Sequence, residues 1–276
     1  MPSVLVTGAA RGIGRSIVEH LASLGWDVIA GVRSEQDASA ITAVNPRRIS
    51  SVILDVTDAG HIARLGGSLP QRLDALVNNA GIVVNGPMET VSAEDWREQF
   101  EVNVIGPLAV TQAVLPRLRK SRGRVVFISS VNGRLSMPLI GAYCASKFAV
   151  EAAADALRME LRPWHIAVSI VQPAQTDTDM WRTADDMVAR AEAMLTTEQR
   201  DLYARHITGI RKRIPVSQKL AVPTEKVSAV IEEALTARRP RARYVVGVGP
   251  KLQVAVMTHM PTWVRDRVLR VVSGLP

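Results

Sequence analysis

Apolar positions along the chain fall in short β-branched runs, separated by stretches in which they recur every three or four residues. The runs are SVLV (3 to 6), DVIAGV (27 to 32), SVILDV (51 to 56), ALVN (75 to 78), RVVFIS (124 to 129), AVSIV (167 to 171) and YVVGV (244 to 248). Runs that are apolar at consecutive positions suit strands covered on both faces. In the first intervening stretch Ile13, Ile17, Leu21 and Leu24 share one helix face, and Gly25 supplies a stop. Strand and helix alternate throughout. That pattern predicts an α/β fold, a doubly wound parallel seven-stranded sheet with helices on both faces.

The longest break in the alternation is residues 179 to 225, where DDMVARAEAML and TTEQRDLYARHITGIRKRI read as two short helices. An insertion at the carboxyl edge of a sheet suits a substrate lid. No Pro/Gly/Ser-rich linker, internal repeat or low-complexity tract divides the 276 residues, so a single domain is expected.

The first strand ends in TGAARGIG, with Gly8, Gly12 and Gly14 at a strand-to-helix turn. Glycines there let the backbone turn tightly and approach a pyrophosphate, whose charge sits against the helix N-terminus beginning near Ile13. The spacing is GxxxGxG, so the generic GxGxxG fingerprint is met only in mechanism. About twenty residues further on, where a carboxylate would hold a ribose 2′-hydroxyl, the strand ends in Val32 and Arg33. A guanidinium at that point favours the 2′-phosphate of NADP, and Arg11 adds a second cation.

These elements also carry a family likeness. TGAARGIG, Asp55-Val56, NNAG at 78 to 81, Asn103 in FEVNVIG, ISS ending at Ser130, and YCASK at 143 to 147 stand in order and spacing. In this the chain resembles the short-chain dehydrogenase/reductase family, strongly over residues 3 to about 180. The resemblance implies a Rossmann fold with Asn103, Ser130, Tyr143 and Lys147 as the catalytic set. Tyr143 would act as general acid/base, Ser130 would bond the substrate oxygen, and Asn103 would hold a water linking Lys147 to solvent. Lys147 would also bind the nicotinamide ribose. Asp55 and Val56 would meet the adenine, and Asn79, Ala80 and Gly81 would floor the cofactor site. Pro173, Thr176 and Thr178 would contact the nicotinamide, although Ala174 stands where the family usually has glycine, which puts the loop path in question if φ must be positive. The cofactor implied is NADP(H). The family usually forms dimers or tetramers through helices equivalent to 93 to 118 and 142 to 161.

A helix sets Tyr143 and Lys147 on one face. Free tyrosine titrates at about 10, too high for work at neutral pH, and a neighbouring ammonium is expected to lower that value. Leu135, Met137, Leu139 and Ile140, with Met180 and Trp181 at the start of the lid, would wall a pocket for an apolar substrate.

The later outline is similar to the hydroxysteroid and retinol dehydrogenase branch, with a C-terminal helical cap near 250 to 276. The expected activity is carbonyl–alcohol interconversion on a lipophilic ketosteroid, retinoid or similar molecule. A 3-oxoacyl thioester reductase is the rival enzyme, and an NADP-sensing binding protein without catalysis the rival of another class.

The formal charge of +8 changes this picture only at the end of the chain. Residues 1 to 180 hold 17 basic and 17 acidic side chains, and residues 181 to 276 hold 17 and 9. Arg238, Arg239, Arg241 and Arg243 read as a solvated loop, since no interleaved aromatics support nucleic-acid binding. The segment from Lys251 to Val272 mixes apolar residues with Arg265, Arg267 and Arg270, broken near Pro261. It reads either as a surface lying on an anionic membrane or as a cover over the pocket or a partner subunit. The single cysteine, Cys144, excludes an intrachain disulfide and a cysteine-built metal site. No metal is expected. With neither a leader nor an 18-residue apolar run, a cytoplasmic location is expected, with peripheral membrane contact open.

Overall fold

A computed structural model describes residues 1–274; the side chains of Met180 and Trp181, expected in the lid, lie outside the described residues. Seven strands form one sheet: β1 (Ser3–Thr7), β2 (Asp27–Val32), β3 (Ile49–Ile53), β4 (Ala75–Asn78), β5 (Arg124–Ile128), β6 (Ala167–Gln172) and β7 (Arg243–Val245). Every pairing is parallel, in the order β3-β2-β1-β4-β5-β6-β7.

The consecutive apolar residues have a direct reading in the two cores. Val4, Val6, Val28, Ala30, Val126 and Ile128 point to one face, where α1 (Gly12–Ser23), α2 (Glu35–Thr42) and α10 (Thr224–Thr236) pack. Leu5, Ile29, Val125 and Phe127 point to the other, against α3 (Ala59–Ser68), α5 (Gly106–Ser121) and α6 (Gly141–Glu160). Alternate residues of each strand therefore serve different cores, which is why no polar face interrupts the runs. The strand order reverses beside β1, between β2 and β4, and this opens a crevice at the carboxyl ends.

Three boundaries differ from the sequence reading. The third strand is 49 to 53, two residues early, with Val28 opposite Ile49 and Val32 opposite Ile53. Leu54 and Val56 lie beyond the paired residues but remain buried in the same core, Leu54 with its N–H on the Val32 carbonyl at 2.7 Å and Val56 against Gly106 of α5, so burial alone misplaced the strand end. The seventh strand stops at Val245, because Gly247 at φ 93 turns the chain into α11 (Val248–Met257). Leu24, expected on the buried face of α1, lies beyond its last turn and is exposed.

The insertion holds α7 (Asp179–Arg182), α8 (Ala184–Ala193) and α9 (Thr197–Lys219). The second expected short helix is instead 23 residues long. A reciprocal cap between Thr196 and Gln199 starts it, and it runs on through Pro215, where the sequence reading ended it. Pro261 does break the tail, standing just before α12 (Thr262–Ser273). α12 docks on α9 where Gly209 meets Gly274 without room for a Cβ, and Arg213 Nη2 donates to the Val271 carbonyl at 2.9 Å.

Candidate active site

The end of β1 and the start of α1 meet through glycines for steric reasons. A Cβ on Gly14 would collide with the Gly8 carbonyl oxygen and come 2.6 Å from Asn79 Nδ2, while Gly8 itself holds φ 63. Asn79 is strapped to this turn. Its N–H donates to Thr7 Oγ1 at 3.0 Å, its Nδ2 donates to the Thr7 carbonyl at 3.0 Å, and the Ala80 N–H donates to the same hydroxyl at 3.0 Å. The first turn of α1 contains no acidic residue and no side-chain cap, so its N–H groups and positive dipole end remain available to an anion.

One cavity of about 980 Å³ runs along the carboxyl ends of the strands. Gly8, Arg11, Gly12, Ile13, Gly14, Arg33, Asp55, Val56, Asn79, Ala80, Gly81, Ser130, Tyr143, Lys147, Pro173, Thr176 and Thr178 all line it. Asn103 does not; it stands behind Gly81, where a Cβ would come 3.3 Å from Asn103 Oδ1 and 3.7 Å from Lys147 Nζ.

At the end near β2, Arg11 and Arg33 are exposed cations. Asp37, which the sequence reading passed over, also lines this end, and its carboxylate accepts from Ser34 Oγ at 2.8 Å. Partial burial opposes ionisation of Asp55, but bonds from the Thr57 N–H and hydroxyl, with the charges of Arg33 and His61, hold its carboxyl below the ordinary range. A glycine cradle, an open helix N-terminus, two guanidinium groups and an ionised acceptor fit an adenine dinucleotide with a phosphate on its ribose. Ala174 is not among the residues of positive φ, so alanine brings no strain there. Among the described residues, no group of His, Cys, Asp and Glu is arranged to hold a metal ion.

α6 carries Tyr143 and Lys147 one turn apart. Lys147 is 6% exposed, and its Nζ donates to the Ile128 carbonyl at 2.9 Å while standing 5.7 Å from the Tyr143 ring centre. Burial pushes the Tyr143 phenol up to about 12, against a hydrogen bond with Ser130. Burial likewise pulls Lys147 down to about 8, against the charge of Glu151. The expected lowering of the tyrosine pKa by its lysine is therefore not what the bare pair produces. Loss of water around the phenolate outweighs what the cation returns, and the ammonium directs one of its protons to Ile128.

Asn103 sits in a π-helical stretch, Glu101–Ile105, that joins α4 (Ala93–Phe100) to α5. Its Oδ1 accepts from the Ile82 N–H at 2.8 Å, and its Nδ2 donates to the Ile82 carbonyl at 3.0 Å and to Ser146 Oγ at 3.1 Å. Gln99, one turn earlier and unnoticed in the sequence, holds the same loop by accepting from the Val84 N–H at 2.7 Å. The last turn of α4 and the π turn that follows it thus aim one amide each at the backbone after Gly81.

Towards the other end, Leu135, Met137 and Ile140 line the cavity, but Leu139 does not. Its backbone takes φ 62, and its carbonyl accepts from the Gly86 N–H at 2.8 Å. Cys144 is buried, and its sulfur accepts from the Met137 N–H at 3.3 Å, so it pins this wall. Ile210, Ile214 and Val272 close the far end together with Arg213, Ser217, Gln253 and Ser273. One member of the basic cluster is not solvated as expected: Arg243 pairs with Glu151 at 2.9 Å and Asp155 at 2.6 Å, whereas Arg241 is exposed and pairs with Glu233 at the surface at 2.8 Å.

A family model described as short chain dehydrogenase matches residues 2–189. The chain is 31% identical over 278 residues to the NADPH-dependent 3-dehydrocapnine reductase of Ornithobacterium rhinotracheale, covering 97% of this chain and 96% of that protein. It is 33% identical over 277 residues to retinol dehydrogenase 5 of Mus musculus, covering 96% and 87%. A solved short-chain dehydrogenase from Streptomyces avermitilis superposes with a TM-score of 0.78 at 27% identity, covering 97% of this chain and 94% of that one.

Lys147 binds its proton less tightly when folded than when unfolded, so its burial cost is full below about 8 and gone above its ordinary 10.5. Lys147→Met should therefore stabilise the fold at pH 7, by part of the roughly 3 kcal/mol that such a shift represents. The lost bond to Ile128 takes the rest. The gain should fade as pH rises towards 10.5, as thermal melts at the two pH values would reveal.

Proposed function

The chain belongs to the short-chain dehydrogenase family, and from that premise we propose that it is an NADP(H)-dependent oxidoreductase interconverting a carbonyl and an alcohol on a lipophilic molecule. The observation that carries this reading is that Ser130, Tyr143 and Lys147 share one cavity with the glycine turn. The names of two relatives support the reading, an NADPH-dependent reductase for the cofactor and the reaction, and a retinol dehydrogenase for a lipophilic substrate.

The backbone of Gly8, Gly12, Ile13 and Gly14 and the N-terminus of α1 would hold the pyrophosphate, with Arg11 and Arg33 on the 2′-phosphate. Asp55 and Val56 would take the adenine, and Asn79 to Gly81 the floor. Pro173, Thr176 and Thr178 would flank the nicotinamide, with Lys147 and Tyr143 on its ribose. When bound, the cofactor supplies or accepts the hydride. In reduction the half-buried Tyr143, protonated at neutral pH, gives its proton to the carbonyl oxygen, and Ser130 bonds that oxygen. The charge left on the phenolate is then met by the Lys147 ammonium. Asn103 keeps the loop after Gly81 in place beside Lys147.

Residues 179 to 225 serve as the lid and 250 to 276 as the cap in this reading. Support for the cap is a third apolar cluster, in which Val254, Met257 and Leu269 pack with Leu135. The outer side of the same helices favours an anionic membrane surface as the place where substrate is met. Val248, Leu252 and Val256 follow one another at helical spacing on α11, all exposed, beside Trp263 at 73% exposure. Lys251, Arg267 and Arg270 supply the matching charge, and each basic residue near such a surface contributes about 1 kcal/mol. Among the described residues no helix is long and apolar enough to cross a membrane. Exposed Ile105, Phe148 and Met159 on the α5 and α6 side support a homodimer or homotetramer.

Tyr143→Phe is expected to cut turnover at least about a hundredfold while NADPH still binds, because only the transferable proton is lost. NADPH oxidation with a panel of ketosteroids, retinal and acyl thioesters tests this; near wild-type rates in the variant would end the reading. Arg33→Asp should lose or reverse a preference for NADP(H) over NAD(H), read by calorimetry with both cofactors. Cosedimentation with anionic but not neutral liposomes, weakened by salt, is expected for the outer face of α11 and α12. No binding to anionic liposomes at low salt would leave the tail as a cap alone.

A further inference from the structure

Tyr143, Lys147, Glu151 and Asp155 follow one another at four-residue intervals along α6. Glu151 is 4% exposed, an uncommon setting for a carboxylate. Its Oε1 accepts from Gln172 Nε2 at 2.8 Å and its Oε2 from Arg243 Nε at 2.9 Å. The same guanidinium reaches Asp155 Oδ2 through Nη2 at 2.6 Å, and Arg158 bonds Asp155 at 3.1 Å. A carboxylate with two donors, one of them a guanidinium, stays ionised out of water.

The turn after Ser130 is shaped to admit this group. A Cβ on Gly133 would come 2.6 Å from Ser129 Oγ, 3.0 Å from Glu151 Cγ and 3.2 Å from its Oε1, so glycine there leaves room for the carboxylate beside Val131–Gly133. The charged or titratable groups around Glu151 among the described residues are Lys147, Asp155 and, beyond them, Tyr143 and Arg158 from α6, and Arg243 from β7. β6 contributes the neutral Gln172, and the turn contributes no ionisable side chain.

We propose that Glu151 is a positioning residue of this site: its clamped carboxylate is the counter-charge that keeps Lys147 protonated beside Tyr143. That role rests on the reading of Tyr143 and Lys147 as acid and electrostatic partner. A buried ammonium whose protein acceptor is the single Ile128 carbonyl has lost most of its hydration and tends to shed its proton. A neutral amine cannot offset the charge left when the phenol gives up its proton. Glu151 sits one turn away and opposes that loss. Gln172 and Arg243 each hold one oxygen of Glu151, and Arg243 carries the link to the far edge of the sheet.

The test reads Lys147 directly, by acetic anhydride labelling of the cofactor-free protein across pH. Wild type should show a midpoint of about 8. Glu151→Gln should move it down by about one pH unit, and Glu151→Asp should restore most of the shift. The alkaline limb of kcat for carbonyl reduction should move by the same amount in Glu151→Gln, with the substrate KM unchanged. Where Glu151→Gln fails to fold, Glu151→Met with Arg243→Met replaces the whole pair, a change buried ion pairs tolerate, and the midpoint should again fall. A labelling midpoint equal to wild type in the folded variant overturns the proposal. A uniform drop in kcat with an unmoved limb does so as well. Absence of wild-type turnover on every carbonyl offered would instead strike at the functional reading, because the labelling midpoint does not depend on turnover.

Discussion

An ammonium group held out of water governs the arrangement of the cavity. Lys147 is 6% exposed, and everything it touches is there on terms set by that burial. The Ile128 carbonyl, at the end of β5, gives it one acceptor at 2.9 Å. That acceptor is free because β5 ends there and the chain leaves the sheet towards Ser130, so the strand end that delivers Ser130 also anchors Lys147. Gly81 brings the loop after β4 within reach of the same nitrogen, and a Cβ there would press on Asn103 Oδ1 at 3.3 Å and touch Lys147 Nζ at 3.7 Å. Sheet, glycine and helix thus meet at one charge.

α6 is the member that turns this meeting into a fixed geometry. Ser146, on its buried side, accepts from Asn103 Nδ2 at 3.1 Å and donates to the Tyr143 carbonyl at 2.7 Å. The π turn at 101 to 105 is thereby tied to the helix that carries tyrosine and lysine. Cys144, one position after Tyr143, holds the Met137 N–H on the opposite wall. The helix therefore sets the distance between the cofactor side and the apolar side of the cavity, and a shift along its axis would disturb both at once.

Fold class could be read from the chain because each strand serves two cores, and unbroken apolar runs of this length suit little besides a strand covered on both faces. Strand ends were harder. Leu54 and Val56 are as apolar and as buried as ladder residues but stand beyond the paired stretch, and a one-dimensional pattern cannot separate the two. Residues of the cavity tied to short motifs were found, whereas Gln99 and Arg243, which stand outside it, were not. Gln99 is a buried amide near the end of α4 that no motif announces. Arg243 stands in an arginine-rich run that looks solvated, and its acidic partners lie about ninety positions earlier. Glu151 did leave a signal, as the next step of the four-residue series through Tyr143 and Lys147.

The two central groups are displaced in opposite directions by one cause. Burial raises the phenol to about 12 and lowers the ammonium to about 8, because in each case it favours the uncharged form. With the charge of Glu151 already acting against burial, the tyrosine holds its proton and the lysine keeps its own at neutral pH by a narrow margin. In the proposed role that margin is supplied from behind, by Glu151 on the next turn, whose other side Arg243 bonds. In this reading proton transfer at one end of α6 is coupled to an ion pair on the last strand of the sheet, and the row of Lys147, Glu151 and Asp155 along the helix, the two carboxylates held by Arg243, is the physical link between them.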